Sequence, residues 1–86
     1  MHWTVDRLQG RRHRLRNLGR APAYDVKLSI EDAVRFDGPD NPGTIQMGET
    51  IEFLAIGSMQ AGPLKLIVSW RDTLDGEHRE WRRPLP

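Results

Sequence analysis

The chain has 86 residues and no cysteine, so disulfide bonds and thiolate metal sites are excluded. It also lacks a long hydrophobic run, since the longest is Phe53–Ile56, far short of the ~20 apolar residues that a membrane helix needs. The first residues contain no apolar stretch of signal-peptide length. We therefore expect a soluble chain without a membrane span, whose location the composition leaves open. A chain of this length is expected to form a single domain over residues 1–86, with a modest core.

Lysine is scarce as well, with two lysines against eleven arginines. The planar guanidinium of arginine is well suited to pairing with carboxylates. The charge is unevenly distributed, because residues 1–20 carry six arginines and one carboxylate, Asp6, whereas residues 21–86 have a net charge of −4. Two interpretations remain open: a basic arm, or charge pairing between strands of one fold.

Amphipathic helices are also missing, because no segment of ten or more residues repeats its apolar side chains convincingly with helical spacing. Apolar and polar residues instead alternate, which is typical of strands with one buried and one wet face. The pattern predicts an all-β fold, an antiparallel immunoglobulin-like β-sandwich of about seven strands with Greek-key crossing. The predicted strand segments are 2–8, 11–18, 24–30, 31–36, 51–55, 64–70 and 78–83.

One alternative stays open for the first two segments. A basic helix over residues 4–18 would end at Gly19, which suits the position after a helix. Gly10 would cost that helix about 1 kcal/mol, and Leu8, Leu15 and Leu18 form only a thin apolar stripe. The strand interpretation is therefore favoured.

Two turns have specific signals. Asn17 has inward parity, and its amide is expected to hydrogen-bond backbone groups of the turn after the second strand. Gly19 is expected to take a positive φ there, and Pro22 to fix the angle at which the chain continues. Asp75–Gly76 predicts a two-residue hairpin, because both residues accept a positive φ.

The motif Leu15-x-Asn17-x-Gly19-x-x-Pro22-Ala23-x-x-Val26 resembles the corner between strands B and C of bacterial immunoglobulin-like domains of the CARDB and DUF11 kind. The segment 45–53 is similar to the entry into their strand E, and 64–76 to their F–G pair. The resemblance covers most of residues 11–83. It implies an immunoglobulin-like fold and an extracellular or surface-assembly habit, without catalytic residues. The arginine-rich second strand departs from the family pattern.

The sharpest surface feature is a set of alternating arginines on the second strand, Arg12, Arg14 and Arg16, called the arginine stripe below. It is suited to an acidic protein partner or to phosphates. Alternatively, it pairs across strands with Asp6 and Glu52. No aromatic residues interleave the arginines, although aromatic platforms are what binders of single-stranded nucleic acid use. A protein partner is therefore favoured over a nucleic acid.

Two further candidates for partner binding lie near the end of the chain. Trp70 is expected in the core, but Trp81 shares its parity with Arg83, and this mixed face is either a core edge or an exposed anchor. Tryptophan and arginine are enriched at binding hot spots. Ile67 has outward parity between Lys65 and Ser69 and adds a second candidate contact.

Metal and catalytic sites are not expected. His2, His13 and His78 fall on three predicted strands without ligand spacing. The loop 37–43 contains turn formers rather than the alternating carboxylates of a calcium loop. The acidic residues of 72–78 are expected to be exposed, so nothing would shift their pKa toward catalytic use.

These observations predict a non-catalytic module without cofactors. It is expected to be part of a larger protein or assembly and to recognise a protein partner through an exposed sheet face or through loops, as a monomer or weak dimer. The alternative function is a basic nucleic-acid-binding domain that uses Arg11–Arg20.

Overall fold

The computed structural model describes residues 2–58 and 62–86, and within them the chain forms eight strands and no helix. The alternative of a basic helix over residues 4–18 is therefore wrong. This part of the chain also contains no helix long and apolar enough to cross a membrane. The strands are β1 (Trp3–Gln9), β2 (Arg12–Asn17), β3 (Ala23–Glu31), β4 (Ala33–Asp37), β5 (Gly43–Ile45), β6 (Thr50–Gly57), β7 (Lys65–Arg71) and β8 (His78–Pro84).

The strands form two antiparallel sheets of four strands each, which confirms the predicted all-β sandwich architecture. Sheet I has the order β1-β2-β6-β4, and sheet II has the order β5-β3-β7-β8. The strand beyond the predicted seven is β5, which has only three residues. Three residues beside a loop rich in turn formers are too few to show alternation. The immunoglobulin-like assignment and the Greek-key crossing stay predictions.

The core consists of inward-facing side chains from both sheets. In β3 and β7 these are alternating residues that the sequence predicts, and Val26, Leu66 and Val68 are fully buried. Trp3 of sheet I meets Trp70 of sheet II edge to face, a favoured geometry for aromatic pairs. The buried hydrophobic cluster contains Trp3, Leu15, Ala23, Val26, Leu28, Ile45, Phe53, Ala55, Leu66, Val68 and Trp70.

β3 contains a bulge that the alternation does not predict. Its pairing with β7 shifts between Tyr24 and Lys27, and Asp25 has a φ of 52°, which aspartate tolerates better than most residues. Ala23 is consequently buried, whereas Tyr24 is half-buried and lies opposite Arg71 on the outer face. Strict alternation over the predicted segment 24–30 would put Tyr24 on the inward face with Val26, and this expectation is wrong because a bulge resets the alternation.

A single residue joins β3 of sheet II to β4 of sheet I. β3 ends at Glu31 and β4 begins at Ala33, and Asp32 between them has a φ of 67°. Aspartate visits this left-handed conformation more readily than most residues other than glycine. The chain therefore changes sheets within one residue.

The turn after β2 is built around Asn17, which is fully buried. Its Nδ2 donates to the carbonyl oxygens of Ala21 at 3.0 Å and Ile45 at 3.1 Å. Its Oδ1 accepts a hydrogen bond from the Gly19 amide at 2.8 Å. The predicted role of the amide is confirmed, but the positive φ at Gly19 is wrong. The Asn17 side chain, rather than a left-handed glycine, shapes this turn.

The predicted pairing of β7 with β8 is confirmed, but its loop is longer than two residues. β7 ends at Arg71 and β8 begins at His78, and the Gly76 amide donates to the Thr73 carbonyl oxygen at 3.1 Å. Neither Asp75 nor Gly76 has a positive φ, so the predicted two-residue turn is wrong. Gly76 serves a close approach instead, because a Cβ there would lie 2.7 Å from Thr73 Oγ1, which would have to shift.

Candidate partner-binding surfaces

The six residues predicted to bind a partner fall on three separate surfaces. The arginine stripe lies on the outer face of sheet I, opposite in parity to the buried Leu15. Ile67 lies on the outer face of sheet II. Trp81 and Arg83 lie on the inward side of β8, which is an edge strand of sheet II. The structure therefore does not bring the six residues together into one site.

The arginine stripe occupies the middle of the outer face of sheet I, because β2 lies between β1 and β6. Arg14 lies opposite Asp6 of β1 and opposite Glu52 of β6. Arg12 lies opposite Leu54 of β6. Directly opposed residues on one face have their Cβ atoms about 4.5–5.5 Å apart, so two carboxylates flank the central arginine as the sequence predicts.

The predicted ion pairs across these strands do not form. Among the described residues, no carboxylate lies within salt-bridge distance of the arginine stripe. The Nε atoms of Arg14 and Arg16 are covered and have no hydrogen-bond partner in the described part of the chain. The register is therefore confirmed and the pairing is wrong. An exposed pair is worth only about 0–1 kcal/mol and fixes two long side chains, so neighbouring positions alone do not enforce it.

The outer face of sheet II differs from this, because two of its arginines contact carboxylates. Arg82 approaches Glu80 at 2.8 Å and Glu31 at 3.4 Å, and the hydrogen bond that it donates to the Glu80 carboxylate raises the pKa of the Arg82 guanidinium. Arg71 and His78 both approach Asp25, at 3.6 and 3.3 Å. These contacts engage Arg71 and Arg82, whereas the exposed Lys27 and Lys65 of the same face make no ion pair among the described residues.

Ile67 is half-buried among these paired charges. It lies between Ser29 of β3 and Arg82 of β8. Because Arg82 is already engaged by two carboxylates, the surroundings of Ile67 offer little free pairing capacity. Its use as a contact stays a prediction.

Trp81 lies at the edge of the core. It is directly opposite Val68, packs against the buried cluster and is half-buried. The Arg83 guanidinium carbon is 5.3 Å from the centroid of the Trp81 ring, within the range of a cation–π contact. The two residues therefore engage each other, and their binding to a partner stays a prediction.

Two features escape the sequence analysis. His13 is buried, and its ring stacks on Phe53 with centroids 5.6 Å apart. Its Nδ1 and Nε2 lie 3.2 Å from the carbonyl oxygens of Arg11 and Pro86. The parity that His13 shares with Leu15 is the signal that predicts this burial.

The second feature is a group of exposed apolar side chains on loops. Leu18, Met47 and Leu74 are 48%, 62% and 71% exposed. Beside Leu18 lies an open cleft of about 580 Å³, whose other lining residues include Arg20 and Asp72. The signal in the sequence is an apolar residue inside a turn segment, which is too common to predict a binding site.

No arrangement typical of a metal site is present in residues 2–58 and 62–86, where no group of three His, Cys, Asp or Glu side chains converges. Asp72 of the acidic loop before β8 accepts a hydrogen bond from Trp70 Nε1 at 3.0 Å and pairs with Arg79. Asp37 of the loop 37–43 pairs with Arg35 at 2.9 Å. These carboxylates thus serve local structure.

Comparison with known proteins finds no matching family model, no matching curated protein and no matching solved structure. The resemblance to bacterial immunoglobulin-like domains therefore stays a prediction based on the motifs of the sequence.

Proposed function

We propose that this chain is a non-catalytic interaction module that binds a protein partner through the outer face of sheet I. The observation that carries the proposal is the unpaired arginine stripe. Arg14 has Asp6 and Glu52 as direct neighbours on the sheet, and yet neither carboxylate pairs with it. Because the Nε atoms of Arg14 and Arg16 are covered, the terminal Nη groups are the donors that keep their capacity for hydrogen bonds to another molecule.

The physical argument is that such bonds gain strength when an interface excludes water. Charge-assisted bonds between guanidinium and carboxylate are often bidentate and about twice as strong as neutral hydrogen bonds, and arginine is enriched among interface hot spots. Leu54 and Ile56 on the same face are half-buried, so the face combines charge with apolar area, as binding patches do.

A protein suits this face better than a nucleic acid does. Asp6 and Glu52 flank the central arginine and would repel a phosphate backbone, whereas proteins present both signs of charge. Nucleic-acid-binding faces are usually dominated by lysine and arginine. The alternative, in which the segment Arg11–Arg20 binds nucleic acid, is distinguished by the experiment below.

The experiment compares the wild-type chain with Arg14→Glu as immobilised bait. Lys27→Glu is the matched control, because it makes the same change of charge on the exposed outer face of sheet II. Proteins retained by the wild type are identified by mass spectrometry, purified, and titrated against all three baits by calorimetry. A parallel sample is treated with nuclease before capture.

We expect the purified partner to bind Arg14→Glu at least about tenfold more weakly, since like charges at an interface cost several kcal/mol, and to bind Lys27→Glu unchanged. Equal affinity for Arg14→Glu and the wild type would contradict the proposed face. Capture that disappears after nuclease treatment, with a steep salt dependence, would favour the nucleic-acid alternative.

A further inference from the structure

We propose that the protein partner is a second copy of this chain, which stacks its outer face of sheet I on the same face of the first copy. This inference rests on the proposed function and names the partner of that face. The two-fold axis would run parallel to the strands, between the neighbouring strands β2 and β6. In that arrangement β2 of one copy lies over β6 of the other, and the contact is reciprocal, as two-fold symmetry requires.

The charges of the face are complementary to themselves under this rotation. Arg14 and Glu52 lie opposite each other in the register of β2 and β6. The rotation exchanges the two strands, so Arg14 of each copy faces Glu52 of the other. Both groups lack an ion pair among the described residues of a single chain, so the contact adds two pairs without breaking any.

The rows on either side of Arg14 and Glu52 fit the same rotation. Arg12 lies opposite Leu54 in the register, so the aliphatic stem of Arg12 from one copy would cover the half-buried Leu54 of the other. Arginine stems cover apolar surface well while the guanidinium stays in water. Arg16 lies opposite Thr50, whose hydroxyl accepts a hydrogen bond from a guanidinium.

The overall charge of the face favours a second copy over a strongly acidic partner. Sheet I presents four arginines outward, the arginine stripe and Arg35, against Asp6, Asp37 and Glu52. Two such nearly balanced faces do not repel each other, and the whole chain has a net charge of only +1. Low net charge promotes self-association. A uniformly acidic partner would instead meet three carboxylates.

The size of the face indicates a weak dimer. Four strands spaced by about 4.8 Å, with about seven residues of ~3.3 Å each, present roughly 450 Å² per copy. Two copies would bury roughly 900 Å², below the ~1,200 Å² of standard interfaces and in the range of transient ones. We expect dimerisation to be visible only at high protein concentration and to weaken with added salt.

The experiment measures association by sedimentation equilibrium for the wild type, Arg14→Glu, Glu52→Arg and the double variant that carries both changes. Protein concentrations run from about 10 μM to about 1 mM, which covers the affinities expected of weak interfaces. Each single substitution places like charges opposite each other twice and should weaken association at least about tenfold. Lys27→Glu on sheet II, the control, should associate like the wild type.

Restoration is the decisive measurement. The double variant exchanges the two charges, so the new acidic group of each copy would again face a basic group of the other. Its association should therefore return to within about threefold of the wild type. An equimolar mixture of the two single variants should also associate, because one chain supplies both acidic groups and the other both basic groups. A merely unfolded variant would restore nothing in either case.

Two results would overturn the inference: a wild type that stays monomeric over the whole concentration range at low salt, or single variants whose mixture does not associate. Neither result removes the proposed function, which fails separately if a purified heterologous partner binds Arg14→Glu as tightly as the wild type.

Discussion

Trp3 and Trp70 meet across the two sheets with ring centroids 5.5 Å apart and ring planes inclined by 73°, but their indole nitrogens are treated differently. Trp70 Nε1 donates to Asp72 Oδ1 at 3.0 Å, whereas Trp3 Nε1 is buried and has no hydrogen-bond partner within residues 2–58 and 62–86. The same aromatic contact thus contains one satisfied donor and one unsatisfied donor.

This difference predicts unequal effects of replacing each tryptophan by phenylalanine. Both changes shrink a buried ring, but Trp70→Phe also removes the hydrogen bond to Asp72, whereas Trp3→Phe removes an unsatisfied donor. We expect Trp3→Phe to lower the free energy of unfolding less than Trp70→Phe does, by about 1 kcal/mol. Urea denaturation of both variants measures the difference. Equal losses, or a larger loss for Trp3→Phe, would contradict the assignment.

Asn17→Ala is expected to lower the free energy of unfolding by about 2–4 kcal/mol. The substitution leaves the carbonyl oxygens of Ala21 and Ile45 and the amide of Gly19 without the side chain that they bond. Asn41→Ala is the control, because Asn41 is exposed, and it should change stability by less than about 0.5 kcal/mol. Asn17→Ala is not expected to affect partner binding by the folded chain. A variant that melts like the wild type would remove this role.

Gly38→Ala is expected to destabilise the chain more than Gly10→Ala. Both glycines have a positive φ, of 152° and 59°, so both substitutions strain the backbone. A Cβ at Gly38 would also lie 2.8 Å from the Cβ of Phe53, whereas one at Gly10 meets nothing within 4 Å. We expect an extra loss of about 1–3 kcal/mol for Gly38→Ala, measured as the difference between the two urea midpoints. Similar midpoints would contradict this prediction and show that β6 shifts at little cost to accommodate the added Cβ.

His13→Phe is expected to loosen the end of the chain while the stack on Phe53 is kept. A neutral imidazole carries one N–H and donates to one of the two carbonyl oxygens beside it, those of Arg11 and Pro86. Phenylalanine donates to neither. We expect a loss of about 1 kcal/mol and faster hydrogen exchange at the Leu85 amide, which donates to the Leu64 carbonyl oxygen.

The control for that measurement is His2→Phe, since His2 is exposed and should leave the exchange at Leu85 unchanged. Exchange at Leu85 that does not respond to His13→Phe would show that the ring only fills space.

The sequence predicts the regular part of this fold well and its irregular part poorly. Alternation correctly places Leu66 and Val68 in the core because the strand period of two is a direct consequence of backbone geometry. It cannot anticipate the bulge at Asp25, since one extra residue reverses the parity of everything before it.

Turn chemistry is predicted by residue type rather than by conformation. Asn17 is assigned correctly because a buried amide must be hydrogen-bonded. Gly19 and Gly76 are placed in turns correctly but given the wrong φ, because the Asn17 side chain shapes the first turn and Gly76 serves a close approach.

For the candidate surface, the sequence predicts only which residues lie opposite each other on neighbouring strands. The neighbours of Arg14 follow from strand order and parity, and Asp6 and Glu52 lie where expected. Whether these charges pair is a balance of side-chain entropy and solvation that amounts to less than about 1 kcal/mol, and residue spacing carries no information on it.

The one-residue connection at Asp32 holds the two sheets together tightly at the side where β3 and β4 lie. β3 and β4 are tied there by a single peptide unit on each side of Asp32, whereas the opposite side is bounded by the free edges of β1 and β8. A transient separation of the two sheets would therefore start at β1 and β8, and it would expose Trp3 and Trp81 to solvent first. A change in their fluorescence would then report this local opening before global unfolding.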